Sequence, residues 1–121
     1  MADRMLFIGW GESVAGREER GLEVFNDALG FYGRCQQEGR IENFDVVLLA
    51  PNPSLRGYIE LHGTADQLNE LREDSEYQRI LAEATTVVQG VSVFDGVTDQ
   101  GIAEQVEIYR AAISKVPQAT A

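Results

Sequence analysis

At 121 residues, with 44% hydrophobic and 25% charged side chains, the chain suits one domain around one core and shows no signature of disorder. Ten Lys and Arg against 20 Asp and Glu leave a formal net charge of −10, which argues against a basic phosphate-binding face and hence against nucleic acid as a partner. A single cysteine, Cys35, excludes an internal disulfide and any Cys-based zinc site.

Arg4 to Trp10 reads as a strand, closed by Gly9 and Gly11 around the indole. Its apolar centre, Met5 to Ile8, is too short for a signal peptide, and no run elsewhere approaches the ~18–20 residues of a membrane span. The expectation is a cytoplasmic protein with no membrane partner. Residues 17–37 read as a helix, with Leu22, Phe25, Leu29 and Tyr32 spaced by three and four on one stripe. Glu18 and Glu19 suit the positive end of its dipole, Gly39 ends it, and Cys35 at the stripe's flank reads as a small core residue. Ile41–Ala50 and Leu55–Gly63 are expected strands, joined by the hairpin loop Pro51-Asn52-Pro53-Ser54, whose prolines have no place in a central ladder.

Thr64 then caps a helix that opens with Ala65 and Asp66 and turns Leu68 and Leu71 inward. Asp74-Ser75 breaks it, and the capping-box spacing of Ser75 and Gln78 predicts a second piece from Glu76 to about Thr85. Val87 to Phe94 is the expected fourth strand. A last helix, from about Gln100 to Val116, places Ile102, Val106, Tyr109, Ile113 and Val116 on one seam, to pack on its own domain or on a partner subunit. Pro117 stops it, and residues 118–121 are expected to fray. The element order is the split βαβ arrangement: an α+β, ferredoxin-like βαββαβ antiparallel sheet with helices on one face. On this reading residues 1–121 form a single domain, with a core over 4–97 and an extra C-terminal helix over 98–117.

The hairpin loop also predicts a register. With Ala50 opposite Leu55, one face holds Ala50, Leu48, Val46 and Phe44 against Leu55, Gly57, Ile59 and Leu61, all apolar or glycine, and this face should meet the helices. The other holds Leu49, Val47, Asp45 and Asn43 against Arg56, Tyr58, Glu60 and His62. That second face is half apolar, and the first and fourth strands add Met5, Phe7 or their neighbours to it, whereas a wet face should be polar. Either the C-terminal helix or a second copy of the chain must cover it, and an isologous homodimer is the simpler expectation.

Within this element order, Ser75-Glu76-Tyr77-Gln78 opening a broken second helix and Val87-Val88-Gln89-Gly90 leading the last strand resemble the dimeric α+β barrel superfamily. That superfamily includes the antibiotic-biosynthesis monooxygenase-like and YCII-like proteins and many members of unknown function. The resemblance spans roughly residues 4–97 and implies two sheets packed face to face as a homodimeric barrel, with pockets near the sheet. Its members include cofactor-independent oxygenases, isomerases, haem enzymes and non-catalytic proteins, so it implies no single activity. The His-Asp pair of the YCII-like proteins is matched here only by a His-bearing strand, and its chemistry is not carried over.

His62 is the only histidine, the one side chain whose ordinary pKa lies near neutrality. On the expected register Glu60 is its same-face neighbour about 6.6–7 Å along the strand, and Asp45 lies opposite Glu60. Facing carboxylates repel unless one is protonated or a cation lies between them. Asp45, Glu60 and His62 therefore fit an acid–base group or an oxygen-rich metal site, against the plainer reading of a wet hairpin rim neutralised by Arg56 and water. No metal or cofactor is assigned. Trp10, Tyr32 and Tyr58 are candidate walls for a flat organic ligand, with Asp45 and Arg56 as its candidate polar contacts, against core or interface roles. The Gly9-Trp10-Gly11 run is no dinucleotide fingerprint, since Val14 replaces the third glycine and Glu12, Glu18 and Glu19 would repel a pyrophosphate. The expected protein is a small homodimer binding an organic molecule beside its sheet. The alternatives are a cofactor-independent monooxygenase- or isomerase-like enzyme, with His62 as general base and Glu60 orienting it, and a structural or assembly module.

Overall fold

The computed structural model describes residues 2–117 and 119; residues 118, 120 and 121 of the expected frayed end lie outside the described residues. The elements are β1 (Arg4–Trp10), α1 (Glu18–Gln37), β2 (Asn43–Leu48), β3 (Gly57–Gly63), α2 (Ala65–Glu73), α3 (Ser75–Thr85), β4 (Ser92–Val97) and α4 (Gln100–Ile113). The strands form one antiparallel sheet in the order β2-β3-β1-β4, with α1, α2 and α3 on one face.

The expected hairpin register holds at every paired position: Phe44 faces Leu61, Asp45 faces Glu60, Val46 faces Ile59 and Asn43 faces His62. The strands stop short of the loop because Asn52 takes over the backbone there. Its Oδ1 accepts from the amides of Ser54 and Leu55, at 3.1 and 2.8 Å, and its Nδ2 donates to the carbonyls of Ala50 and Leu55. Leu6, Ile8, Ile59 and Leu61 point from the sheet into the core, against Ala28, Phe31, Tyr32, Leu68, Leu71, Tyr77 and Ile80 of the helices. At the edge strand β2 this cover runs out. Phe44 packs on Tyr32, with ring centroids 6.1 Å apart, but Val46 and Leu48 of the same apolar face stay 37% and 69% exposed.

The buried stripe of α1 is rotated from the expected one. Val24, Ala28, Phe31 and Cys35 line it together with Tyr32, while Leu22 faces solvent. The two stripes share Tyr32, and small Ala28 lets the helix approach the sheet more closely than Leu29 would. Gly39 does end α1. At φ +73° it sits in the left-handed region, its amide bonds to Gln36 and that of Arg40 to Cys35, the paired bonds of a Schellman cap. Thr64 and Gln67 cap α2 reciprocally, as expected for Thr64. The cap of α3 is Asp74 rather than Ser75: its Oδ1 accepts from Glu76 and Tyr77, so the helix opens one residue early.

The fourth strand also moves. It runs over Ser92–Val97, and the valine-rich stretch before it is an irregular connection of which only Val87 is buried. Gln89 exchanges backbone bonds with Gly11 and Glu12, the Val87 carbonyl accepts from the Val14 amide, and Gly90, at φ +64°, turns the chain into the strand. Counting β-branched residues placed the strand early because it weighed Val87 and Val88 above the breaking power of Gly90.

The C-terminal helix leaves the domain. Of α4 only Gly101, pressed against Asp3, Arg4 and Val97, is buried, while Ile102, Val106, Tyr109 and Ile113 of the seam are 37–68% exposed. It does not fold over the second face of the sheet, where Phe94 remains 61% exposed.

Candidate functional site

Two separate places have the makings of a site, one on each face of the sheet. Behind it, α1, α3 and the Val87–Val91 connection enclose an apolar cavity of about 210 Å³. Ile8, Trp10 and Ile59 form its sheet wall, Phe25, Ala28 and Tyr32 its α1 wall, and Ile80, Leu81 and Ala84 its α3 wall. Trp10 meets Phe25 edge to face at 5.8 Å. The indole also lies over Gly57, its partner across the strands, where a Cβ would stand 2.7 Å from Cζ2. Glycine there lets the ring lie flat on the sheet. Exposed Leu22 and Ser13 mark the mouth.

Tyr32 is buried, and that burial pushes its phenol far above the ordinary tyrosine value, so it stays a neutral donor. Burial also raises the Cys35 thiol and Tyr77. Cys35 is therefore a core side chain, with none of the thiolate character that nucleophilic chemistry requires.

The second place is the open face. Phe7 stacks on Tyr58 at 5.0 Å and meets Phe94 at 5.8 Å, forming an aromatic row across β3, β1 and β4. Beside this row, His62 Nε2 lies 3.3 Å from Asp45 Oδ2 and 3.5 Å from Glu60 Oε2. Arg56 stands further along the hairpin, with Glu12 at 3.9 Å.

The structure thus brings together Asp45, Glu60 and His62, with Tyr58 on the same side. It sets Trp10 and Tyr32 apart from them, behind the sheet. Within one chain, a substrate held against Trp10 is out of reach of His62. The sequence reading missed Phe25 as a cavity wall opposite Trp10, along with Ala28, Ile80, Ala84 and Val87. The signal for Phe25 was present, since it belongs to the expected stripe of α1, but a stripe does not distinguish core packing from the lining of a cavity.

The sequence matches no protein-family model and no curated protein. Solved structures do match over most of its length. A dimeric protein of unknown function and ferredoxin-like fold from Bacteroides fragilis NCTC 9343 aligns with a TM-score of 0.58 at 12% identity, covering 78% of this chain and 95% of that one. An ethyl tert-butyl ether D family protein from Bacillus halodurans C-125 aligns at 0.56 and 12% identity, covering 79% and 97%. A candidate antibiotic biosynthesis monooxygenase from Chloroflexus aurantiacus J-10-fl aligns at 0.54 and 9% identity, covering 79% and 93%. The chain has the ferredoxin-like fold. At these identities the likeness concerns the fold, not an activity. Among the described residues, no helix is long and apolar enough to cross a membrane.

Proposed function

We propose that the protein is a homodimeric binder of a small, flat organic molecule, held in the cavity behind Trp10. The observation that carries this reading is the apolar space of about 210 Å³ walled by Trp10, Phe25 and Tyr32. A space of about 150 Å³ accepts benzene, and drug-sized pockets begin at about 300 Å³, so this one suits one ring or two fused rings. Of the three aromatic walls only Tyr32 carries a hydroxyl, and nearly all the rest of the lining is apolar. The self-association half of the proposal draws on the aromatic row of the uncovered face, and on the fact that the Bacteroides protein of the same fold is dimeric.

Trp10 is the only tryptophan, so its emission reports on the cavity directly. Titration with p-cresol and 1-naphthol is expected to shift the indole emission, excited on its red edge, and to raise the melting temperature in proportion to ln(1 + [L]/Kd). Ala84→Phe, which fills the space from α3, should abolish both responses. Silence in the wild type, or an equal response in the filled variant, refutes the cavity as the binding site.

A catalytic alternative draws on a different observation, the contact between His62 Nε2 and Glu60. There His62 is the general base, Glu60 orients it, and Tyr58 is a substrate wall. Trp10 has no part in that site, and the substrate lies on the open face.

A further inference from the structure

We propose that Asp45, Glu60 and His62 form a binding site for a first-row divalent cation, Zn²⁺ being the best match, on the sheet face opposite the cavity. The placement follows from strand pairing. Asp45 is directly opposite Glu60, His62 follows Glu60 by two residues on the same strand, and alternation puts all three side chains on one side. One ligand atom from each converges, and all three lie within 4.8 Å of one another. His62 Nε2 is 3.3 Å from the Asp45 oxygen and 3.5 Å from that of Glu60. In a tetrahedral site with bonds of about 2.0–2.2 Å, ligand atoms stand roughly 3.3–3.6 Å apart. Both distances are already those of a metal tetrahedron's edges.

The donor set selects the ion. Mg²⁺ and Ca²⁺ seek six or more oxygens, whereas one imidazole with two carboxylates suits Zn²⁺ and its first-row neighbours and leaves a position for water or substrate. Electrostatics favours the same occupant. Two carboxylates face each other here, and the ion pairs they make among the described residues are with His62. Arg56, the other cation of this face, is turned toward Glu12. An ion between the carboxylates removes their repulsion. His62 and Glu60 are held on the interior strand β3 with side chains 21% and 28% exposed, while Asp45, on the edge strand and 61% exposed, provides the entry. A metal on Nε2 replaces the contact through which Glu60 orients the imidazole in the catalytic alternative, so the two assignments of His62 are exclusive.

The test uses the full chain, stripped with chelator and titrated with Zn²⁺ by calorimetry and with Co²⁺ by visible absorption. One Zn²⁺ per chain is expected, not displaced by a hundredfold excess of Mg²⁺, together with the intense d–d bands of four-coordinate Co²⁺. His62→Ala and Asp45→Asn, both folded by circular dichroism, should each weaken Zn²⁺ at least tenfold, and Cys35→Ser should leave it unchanged. Absence of Zn²⁺ binding, or binding undiminished in either of the first two variants, overturns the site and leaves the cluster as an imidazole in contact with two carboxylates.

Discussion

On the proposed homodimer, replacing Phe94 with Asp should convert a species of twice 13.4 kDa to a monomer, read by light scattering across a concentration series. Phe94 ends the aromatic row on the open face and is 61% exposed in the single chain, so the substitution removes little from the fold itself. In a two-fold dimer each change counts twice. Fully burying one Phe side chain is worth about 1.5–3 kcal/mol, and with 61% of Phe94 left to bury the pair contributes roughly 2–4 kcal/mol before the cost of desolvating two carboxylates is added. At about 1.4 kcal/mol per factor of ten, the dimer should weaken by at least about thirtyfold. An unchanged far-ultraviolet spectrum would confirm that the monomer is folded. A variant that stays dimeric at the wild-type affinity would show that the two copies meet elsewhere.

The second large effect is expected at Asp74. One carboxylate does two jobs there: Oδ1 caps α3 through the amides of Glu76 and Tyr77, and Oδ2 takes a 2.7 Å bond from Arg40. Arg40 also lies over the Phe31 ring, so the contact ties the end of α1 to the start of α3. Asp74→Ala should cost about 2 kcal/mol, roughly half from the cap and half from the charge-assisted bond, the latter reduced by partial exposure of Arg40. The bond to Arg40, with help from the two amides, holds the Asp74 carboxyl below its ordinary value of 3.8. A carboxyl lowered by folding contributes its stability in full above the unfolded value, and loses it as pH falls through the folded one. The gap in denaturant midpoint between wild type and Asp74→Ala should therefore be constant from neutrality to about pH 5 and shrink below pH 4. A gap that persists undiminished at pH 2 would mean that the charge of Asp74 adds nothing.

Much of this was legible because β-sheets alternate strictly. Two prolines fix the hairpin loop, the loop fixes the register, and the register by itself puts Asp45, Glu60 and His62 together. Helix faces were harder. The stripe Leu22-Phe25-Leu29-Tyr32 and the buried one differ by a modest rotation: Tyr32 is buried, Phe25 and Leu29 are half-buried and Leu22 is exposed, while size alone passed over Ala28. The cavity was invisible for a related reason. It exists because Trp10, Phe25 and Ile80 meet around a space that none of them fills, and an unfilled space leaves no mark in a pattern of apolar residues. Trp10 and Tyr58 were read as walls of one site because both are aromatic, yet strand parity separates them: Gly9, not Trp10, is paired with Tyr58.

Helix α4 makes part of the secondary structure depend on the company the chain keeps. It has 14 residues, of which only Gly101, in its first turn, is buried. Helices shorter than about 12–15 residues are marginal in water without packing. Its amide protons beyond the first turn should therefore exchange with solvent almost freely in dilute protein and slow as the concentration rises, if a second copy is what covers its apolar seam.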